Sequence, residues 1–557
     1  MNIRKTNSLV ELFFIKLSNN KDNKKPFLEK LNSKKNHKFN WDEVAEKVLK
    51  LSTKIKGMIK KGDRCLLLSE NRPEWLISDI AIMNAGGITV PVFTTYVEKD
   101  YEYIINDCNP SLIIVSNNEQ LKKIKKFIKG KKIISFEKIE NNSLIILDIY
   151  EENLEKKINY NLTRKMPACI IYTSGTSGNP KGVVLSHGGI LSNCEGALEL
   201  LKPLIKKKDP IFLTWLPLSH SYEHTVQFIQ ILIGAKIFYA ESLERLITNM
   251  TEVEPTIMTA VPRFYQNLFN KINASFKKQI GLKKLLIEAT QNIGKKKLEK
   301  KQLTIKEKIL NYFCENIVRK KIKKQFGGNL QAFISGGGAL DQKIGEFLNS
   351  IGLPTLQGYG LTEASPVVSC NLPDLVKVES VGPAFSTNKI RIAEDGEILV
   401  KGENVMIGYW NNETETNEVI KNGWLYTGDV GEIDLNGYLK ITDRKKDIIV
   451  NLGGENISPT KIENLLCLNE IIKQAFIYGD KKNYLVAIIV TEIGVEKKII
   501  EEIIEELNKN LTLIEKIKKF LIINNEFTIE NRMLTPTLKL KRKEIIKNYK
   551  QNLEDFY

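Results

Sequence analysis

Between residues 40 and 115 the apolar positions switch repeatedly between two periods. Asn40 with Glu43 three positions on is a capping-box start, and Val44, Val48, Leu51, Ile55 and Met58 mark one helical face that Gly62 is expected to close. The unbroken apolar run Cys65 to Leu68 reads as a strand. Asn71-Arg72-Pro73-Glu74-Trp75, with proline suited to a first turn, opens a helix to about Ala85. Gly86-Gly87 break that helix, and Ile88 to Phe93 read as the next strand. A helix from Asp100 to Asp107 and a strand from Leu112 to Val115 continue the series. Strands alternating with helices predict a largely parallel α/β sheet.

The alternation then meets a stretch of another kind. Ala168 to Ile171 read as a buried strand, and Tyr172-Thr173-Ser174-Gly175-Thr176-Ser177-Gly178-Asn179-Pro180-Lys181-Gly182 follow without one aliphatic side chain. Val183 to Leu185 restore the apolar pattern, and Ser186-His187-Gly188 lead to a helix near Ile190. Glycines allow close backbone approach to a ligand, hydroxyls and successive N–H groups make a concavity of donors, and Lys181 adds a full charge. Such a loop suits phosphate oxygens. It is not a Walker A loop, because Gly182 rather than Ser or Thr follows Lys181. A flexible linker would leave the flanking apolar strands without a purpose.

Composition narrows the class. The 557 residues exceed one ordinary domain, and 42% hydrophobic with 27% charged residues is a globular balance. No apolar run approaches the ~18 residues of a membrane helix. Glu11 interrupts the apolar residues after Met1-Asn2-Ile3-Arg4-Lys5, so no secretory signal is expected. The net charge of +17 raises nucleic acid and anionic membranes as partners. The lysines are spread among Asn and Ile, and no nucleic-acid motif accompanies them, so no nucleic-acid role is expected. A peripheral membrane contact stays open. The seven cysteines form no C-x-x-C pair and read as reduced core fillers in a cytoplasmic protein.

Further motifs follow in order. His220, Glu223 and His224 fit H-x-x-E-H, an inverted zinc-protease pattern, with no third ligand to accompany it. Leu282 to Ile293 and Ile305 to Phe326 read as lysine-rich surface helices with an apolar seam. Ala332 to Ser335 run into Gly336-Gly337-Gly338-Ala339-Leu340, a strand leaving into a bare-backbone turn. Then come Gln357-Gly358-Tyr359-Gly360-Leu361-Thr362-Glu363-Ala364-Ser365-Pro366, the paired stretches Gly396 to Gly402 and Gly408-Tyr409-Trp410 (read as hairpin strands), and Trp424-Leu425-Tyr426-Thr427-Gly428-Asp429. Asp443-Arg444-Lys445-Lys446-Asp447 reads as a solvated connector. Asn451 to Pro459 and Leu534 to Arg542 complete the set.

These motifs, in this order over nearly the whole chain, resemble the adenylate-forming (AMP-binding) enzymes, and the long helical segment resembles their long-chain fatty acid–CoA ligase branch. The resemblance implies an α/β fold: a large N-terminal adenylation domain of several subdomains (residues 1–443, mixed β-sheets flanked by helices), a hinge linker (444–449) and a small mobile α+β C-terminal lid (450–557). It assigns ATP phosphates to Thr173, Ser174, Gly175, Thr176, Ser177, Gly178 and Lys181, and adenine to Gly337, Gly338, Ala339, Tyr359 and Gly360. Thr362 falls to the α-phosphate, Glu363 to Mg²⁺, Asp429 and Arg444 to the ribose, and His220 to the substrate carboxylate. Lys446 matches the pivot and Gly453 the coenzyme A entrance. Lys539 matches the adenylation lysine, although Leu538 stands where many members carry glycine, which leaves Lys541 as runner-up. The implied catalytic set is thus Lys539, Glu363, Thr176 and His220, and the implied substrates are a fatty acid, ATP and coenzyme A. Transfer of the acyl group to a carrier protein is the alternative.

Overall fold

The computed structural model describes residues 3–31, 37–139, 144–173, 179–535 and 538–557. Ser174, Gly175, Thr176, Ser177 and Gly178 of the phosphate-loop expectation lie outside the described residues.

Two eight-stranded sheets stand among the described residues. In one, Ile211–Thr214, Lys236–Tyr239, Ile257–Ala260, Ala332–Ser335 and Thr355–Gly360 run parallel with Pro26–Lys30, and antiparallel strands close both edges. In the other, Arg64–Leu68 lies between Ile88–Val92 and Leu112–Val115, all parallel. Pro167–Thr173 continues that sheet and turns back as Lys181–Ser186 in antiparallel register, with Thr173 opposite Lys181. Thr173 and Lys181 therefore stand at the open end of an antiparallel strand pair, with the short strand Gly408–Tyr409 outside it at the sheet edge.

One apolar core takes side chains from both sheets and from the helices Leu9–Asn19, Trp41–Lys56, Pro73–Asn84, His187–Ile205 and Ser221–Ile233. Pro73–Asn84 has every residue buried, which suits a helix enclosed on all sides. Two of its polar side chains find partners in the core, as burial favours. Asn84 donates to Ser52 Oγ at 2.7 Å, and Asp79 meets His224 at 2.9 Å. Trp41–Lys56 carries the expected capping box at Asn40, but it ends at Gly57. Met58 and Gly62 instead belong to the turn that follows, where Gly62 has a positive φ.

One expectation needs correction. Gly408–Tyr409 does not pair with Glu397–Gly402; it lies antiparallel to Lys181–Ser186, whereas Glu397–Gly402 pairs with Asn388–Ile392 and Trp424–Ile433. Thr427-Gly428-Asp429 lies in the interior of that ten-residue strand. Six of the seven cysteines are buried, the seventh half-buried, and all are free.

Residues beyond Asp447 form a small α+β unit with its own apolar clusters. Ile472–Tyr478, Leu485–Thr491 and Ile517–Ile523 make its sheet, flanked by Pro459–Leu466, Lys497–Lys509 and Arg542–Glu554. Glu463, buried, accepts from Arg542 at 2.6 Å and from the Ile477 N–H at 2.8 Å, which ties the last helix to the sheet. The architecture is the α/β fold with a smaller α+β C-terminal part that the motifs implied.

Candidate active site

A cleft of about 890 Å³ opens where the carboxyl ends of the strands from both sheets converge, and the C-terminal unit reaches into it with Lys539. Its lining includes Thr173, Lys181, His220, Gly337, Tyr359 and Gly360, together with Thr362, Glu363, Arg444 and Lys446. Residues far apart in the chain meet here because Thr173, Gly360 and Arg444 end strands and His220 caps the start of a helix.

The polar half is cross-tied. Tyr359 donates to Asp429 Oδ2 and Arg444 Nε to Asp429 Oδ1, both at 2.7 Å. A carboxylate offers about four acceptor positions, so Asp429 keeps capacity for further donors. Burial works against the Arg444 charge, and the adjacent Asp429 more than compensates, raising its pKa. Glu363, on the short turn Thr362–Ala364, accepts from Tyr409 Oη at 3.0 Å, and its carbonyl accepts from the Met406 N–H at 2.8 Å. Lys181 lies 2.7 Å from Glu415 and 5.2 Å from the Tyr409 ring centroid. Thr362 and Ser221 hydroxyls are 2.9 Å apart.

His220 is the N-cap of Ser221–Ile233, and its Nδ1 accepts from the Tyr222 N–H at 3.1 Å. Burial, then the charge of Lys539, lowers its pKa to about 4. The imidazole is therefore neutral near pH 7, and its remaining proton sits on Nε2 as a donor. Lys539 is exposed to the cleft solvent yet ringed by protein. That enclosure, with Arg444 and Lys446 nearby, lowers its pKa to about 8, while Asp429 and Glu363 oppose the shift.

The other half is apolar. Ala197, Leu200, Leu201, Phe212, Val226 and Ile229 line it from the helices His187–Ile205 and Ser221–Ile233 and the strand between them. Between the halves, Gly336 lies against Tyr222, whose ring would be 2.8 Å from any Cβ there, and Gly337 has φ +78°. Both conditions require glycine.

Several sequence-predicted residues sit elsewhere. Gly338 and Ala339 are exposed beside the turn and do not line the cleft. Gly453 lies in an exposed turn closed by Asn451 and Glu455, away from the cleft. Lys541 is the N-cap of Arg542–Glu554 and does not line the cleft, in contrast to Lys539. The zinc reading of His220, Glu223 and His224 is overturned. His224 is buried with Nε2 2.9 Å from Asp79 and Nδ1 3.9 Å from Cys169, and Glu223 accepts from Thr259 at 2.7 Å. His224 thus has both ring nitrogens engaged in the core, and burial pushes Glu223 up to about 7. Sequence reasoning passed over Tyr409, Glu415 and Ser221. Tyr409 stands within a sequence motif, but its link to Glu363 needs the strand pairing to be known.

Comparisons with known proteins identify the family. Residues 16–410 match the family model described as AMP-binding enzyme, and residues 446–557 match that of the AMP-binding enzyme C-terminal domain. Long chain acyl-CoA synthetase 3 of Arabidopsis thaliana is 31% identical over 93% of this chain and 87% of its own. Long-chain-fatty-acid–CoA ligase FadD15 of Mycobacterium bovis is 28% identical over 93% and 92% respectively. Among solved structures, the adenylation domain of a carboxylate reductase from Mycobacterium chelonae superposes with a TM-score of 0.79 at 19% identity, covering 99% of this chain and 91% of that one.

Proposed function

The chain belongs to the family of AMP-binding enzymes, and we propose that it activates a long-chain fatty acid with ATP and passes the acyl group to coenzyme A. One observation carries this reading. A single cleft joins a polar half of hydroxyls, carboxylates and cations to an apolar half walled by aliphatic and aromatic side chains. The apolar half suits an acyl chain, and the polar half suits a nucleotide triphosphate.

In the first step a carboxylate oxygen attacks the α-phosphorus of ATP, the bond to pyrophosphate breaks, and an acyl-adenylate forms. In the second the thiol sulfur of coenzyme A attacks the acyl carbon, AMP leaves, and the thiol proton is released. No enzyme nucleophile is needed, so positioning and charge neutralisation are the protein's task. His220 Nε2–H suits the fatty carboxylate. Tyr359 offers a ring face to adenine, Asp429 and Arg444 suit the ribose, Thr362 suits the α-phosphate, and Thr173 with Lys181 flanks the phosphate loop. Glu363 fits Mg²⁺, since a polyphosphate-borne magnesium takes only one or two protein carboxylates. When bound there, the ion would neutralise phosphate charge.

Lys539, beside Glu363 and Arg444, is suited to bridge the attacking carboxylate and the phosphate. Because it occupies the cleft while Gly453 lies outside, we place a hinge at 444–449, pivoting at Lys446, that withdraws the lysine before the thiol arrives. The division at 443 and 450 is part of this reading. Pyrophosphate release measured across acids of rising chain length tests the substrate class. Chromatography of products made with coenzyme A or with an acyl carrier protein separates the ligase from the carrier-loading alternative. Release confined to short or aromatic acids would refute the long-chain assignment.

A further inference from the structure

The helical hairpin Gly281–Leu298 and Ile305–Phe313, extended by Cys314–Arg319 and Lys320–Gln325, does more than cover the sheet. Its second arm anchors itself through Cys314, Val318 and Ile322, all buried at intervals of four. That seam is the one expected for a surface helix. A second apolar stripe has no such use. Ile305, Ile309, Tyr312, Phe313 and Ile317 recur at helical spacing on one face and are exposed, Ile305 at 77% and Ile309 at 59%. Ile305–Phe313 buries no side chain at all. The first arm adds Leu282 at 85% and Leu285 at 60%. Cys314 Sγ lies 4.0 Å from the Leu286 carbonyl, which brings Phe313 and Ile317 to the same level of the hairpin as Leu285. Scattered exposed apolar residues are ordinary, but a stripe of this regularity marks an interaction face.

Charge identifies the partner. Residues 271–325 hold seventeen Lys and Arg against four carboxylates, a net +13 within a chain whose total is +17. Beside the stripe, Arg319, Lys320, Lys323 and Lys324 line a cavity of about 360 Å³, with Glu315 as its acidic member. A face so strongly positive repels a second copy of itself. A nucleic acid would satisfy the lysines but leave the Ile, Leu and Phe stripe in water. A surface of anionic headgroups above hydrocarbon satisfies both, with the aliphatic side chains below the phosphates and the lysines among them.

We propose that this hairpin is a docking face for an anionic phospholipid bilayer. The protein reaches the membrane with the stripe inserted to the depth of the first acyl carbons and the cavity lysines on lipid phosphate. Docking belongs to the hairpin and does not depend on which acid the cleft accepts.

The test uses the full-length chain and sedimentation with vesicles of phosphatidylcholine alone or with about 30 mol% phosphatidylglycerol. Strong binding to the mixed vesicles only, weakening with salt, is expected. Ile309→Asp with Phe313→Asp should abolish it, and Lys320→Ala with Lys323→Ala and Lys324→Ala should weaken it roughly a hundredfold. The first pair of substitutions removes no buried side chain, so an unchanged thermal midpoint and unchanged pyrophosphate release are expected as folding controls. Equal binding to both vesicle types overturns the proposal, as does binding unaffected by either set of substitutions. Self-association of the wild type that Ile309→Asp removes would overturn it in favour of a second copy. Tighter binding to RNA than to the mixed vesicles would overturn it in favour of nucleic acid.

Discussion

Tyr409 donates a 3.0 Å hydrogen bond to Glu363 across 46 residues of sequence, and the same ring lies under the Lys181 ammonium. A tyrosine on a short edge strand thereby fixes the carboxylate proposed for magnesium relative to the lysine of the phosphate loop. Tyr409→Phe keeps the ring and loses only the donor. A hydrogen bond to a charged acceptor justifies an expected roughly ten- to hundredfold fall in adenylation rate. An increased magnesium requirement should accompany it, read by titrating the metal in a pyrophosphate assay. A variant with unchanged magnesium dependence would show that the hydroxyl does not hold the carboxylate in place.

Lys539→Ala should lower adenylate formation by about 10²–10³-fold, the usual loss when one preorganised charge is removed from a transition state. Thioester formation from supplied acyl-adenylate should persist. Single-turnover measurement of each half-reaction decides this, and equal loss of both would refute the assignment. Lys541→Ala, outside the cleft, should leave both steps intact.

The same lysine sets an alkaline limb. Its pKa is lowered to about 8, so the charge is present below that value and lost as pH rises through it. The kcat/KM of adenylation is expected to fall above about pH 8. Lys539→Arg, which cannot discharge, should flatten the limb even if the rate is lower. A limb unchanged in the arginine variant would assign it to another group.

Lys446→Pro fixes a backbone angle at the proposed pivot. Adenylate formation should survive and acyl transfer to coenzyme A should fail, measured as accumulation of acyl-adenylate. Normal transfer would remove the hinge from this position.

Glu223 offers a prediction about stability. Burial raises its pKa to about 7 from an ordinary carboxyl value of 4.5, so the folded state holds the proton more tightly than the unfolded. The stabilisation is full below 4.5 and is lost as pH rises through 7. Glu223→Gln keeps the shape without the titration. Relative to wild type it should gain about 3 kcal/mol between pH 4.5 and pH 8, measured by urea unfolding across that range. Parallel pH profiles for the two proteins would contradict the buried-acid picture.

Much of the cleft could be read before the fold was known, because its residues stand in motifs that resemble those of a known family. Thr362-Glu363, Thr427-Gly428-Asp429 and Asp443-Arg444 each set polar or glycine positions beside an apolar run, although the last two lie within strands. The apolar half could not be read, since Leu200, Phe212 and Ile229 are the same residue types as the core around them and only topology separates wall from filling. Tyr409 and Glu415 depended on an antiparallel register between residues 183–184 and 408–409, which no local pattern encodes. The H-x-x-E-H spacing, offered without a third ligand, has a structural explanation instead. The helix does put His220 and His224 one turn apart, but Asp79, from a helix 145 residues earlier, engages the second.

The burial of the cysteines bears on how such an enzyme would endure its own substrate. Burial lifts the thiols of Cys65, Cys108, Cys194, Cys370 and Cys467 far from their thiolate forms, to about 12 at Cys108, Cys370 and Cys467. Thiol–disulfide exchange needs a thiolate within reach. A protein that meets oxidised coenzyme A in the cell would thus resist becoming its mixed disulfide, and its turnover would outlast swings in the redox poise around it.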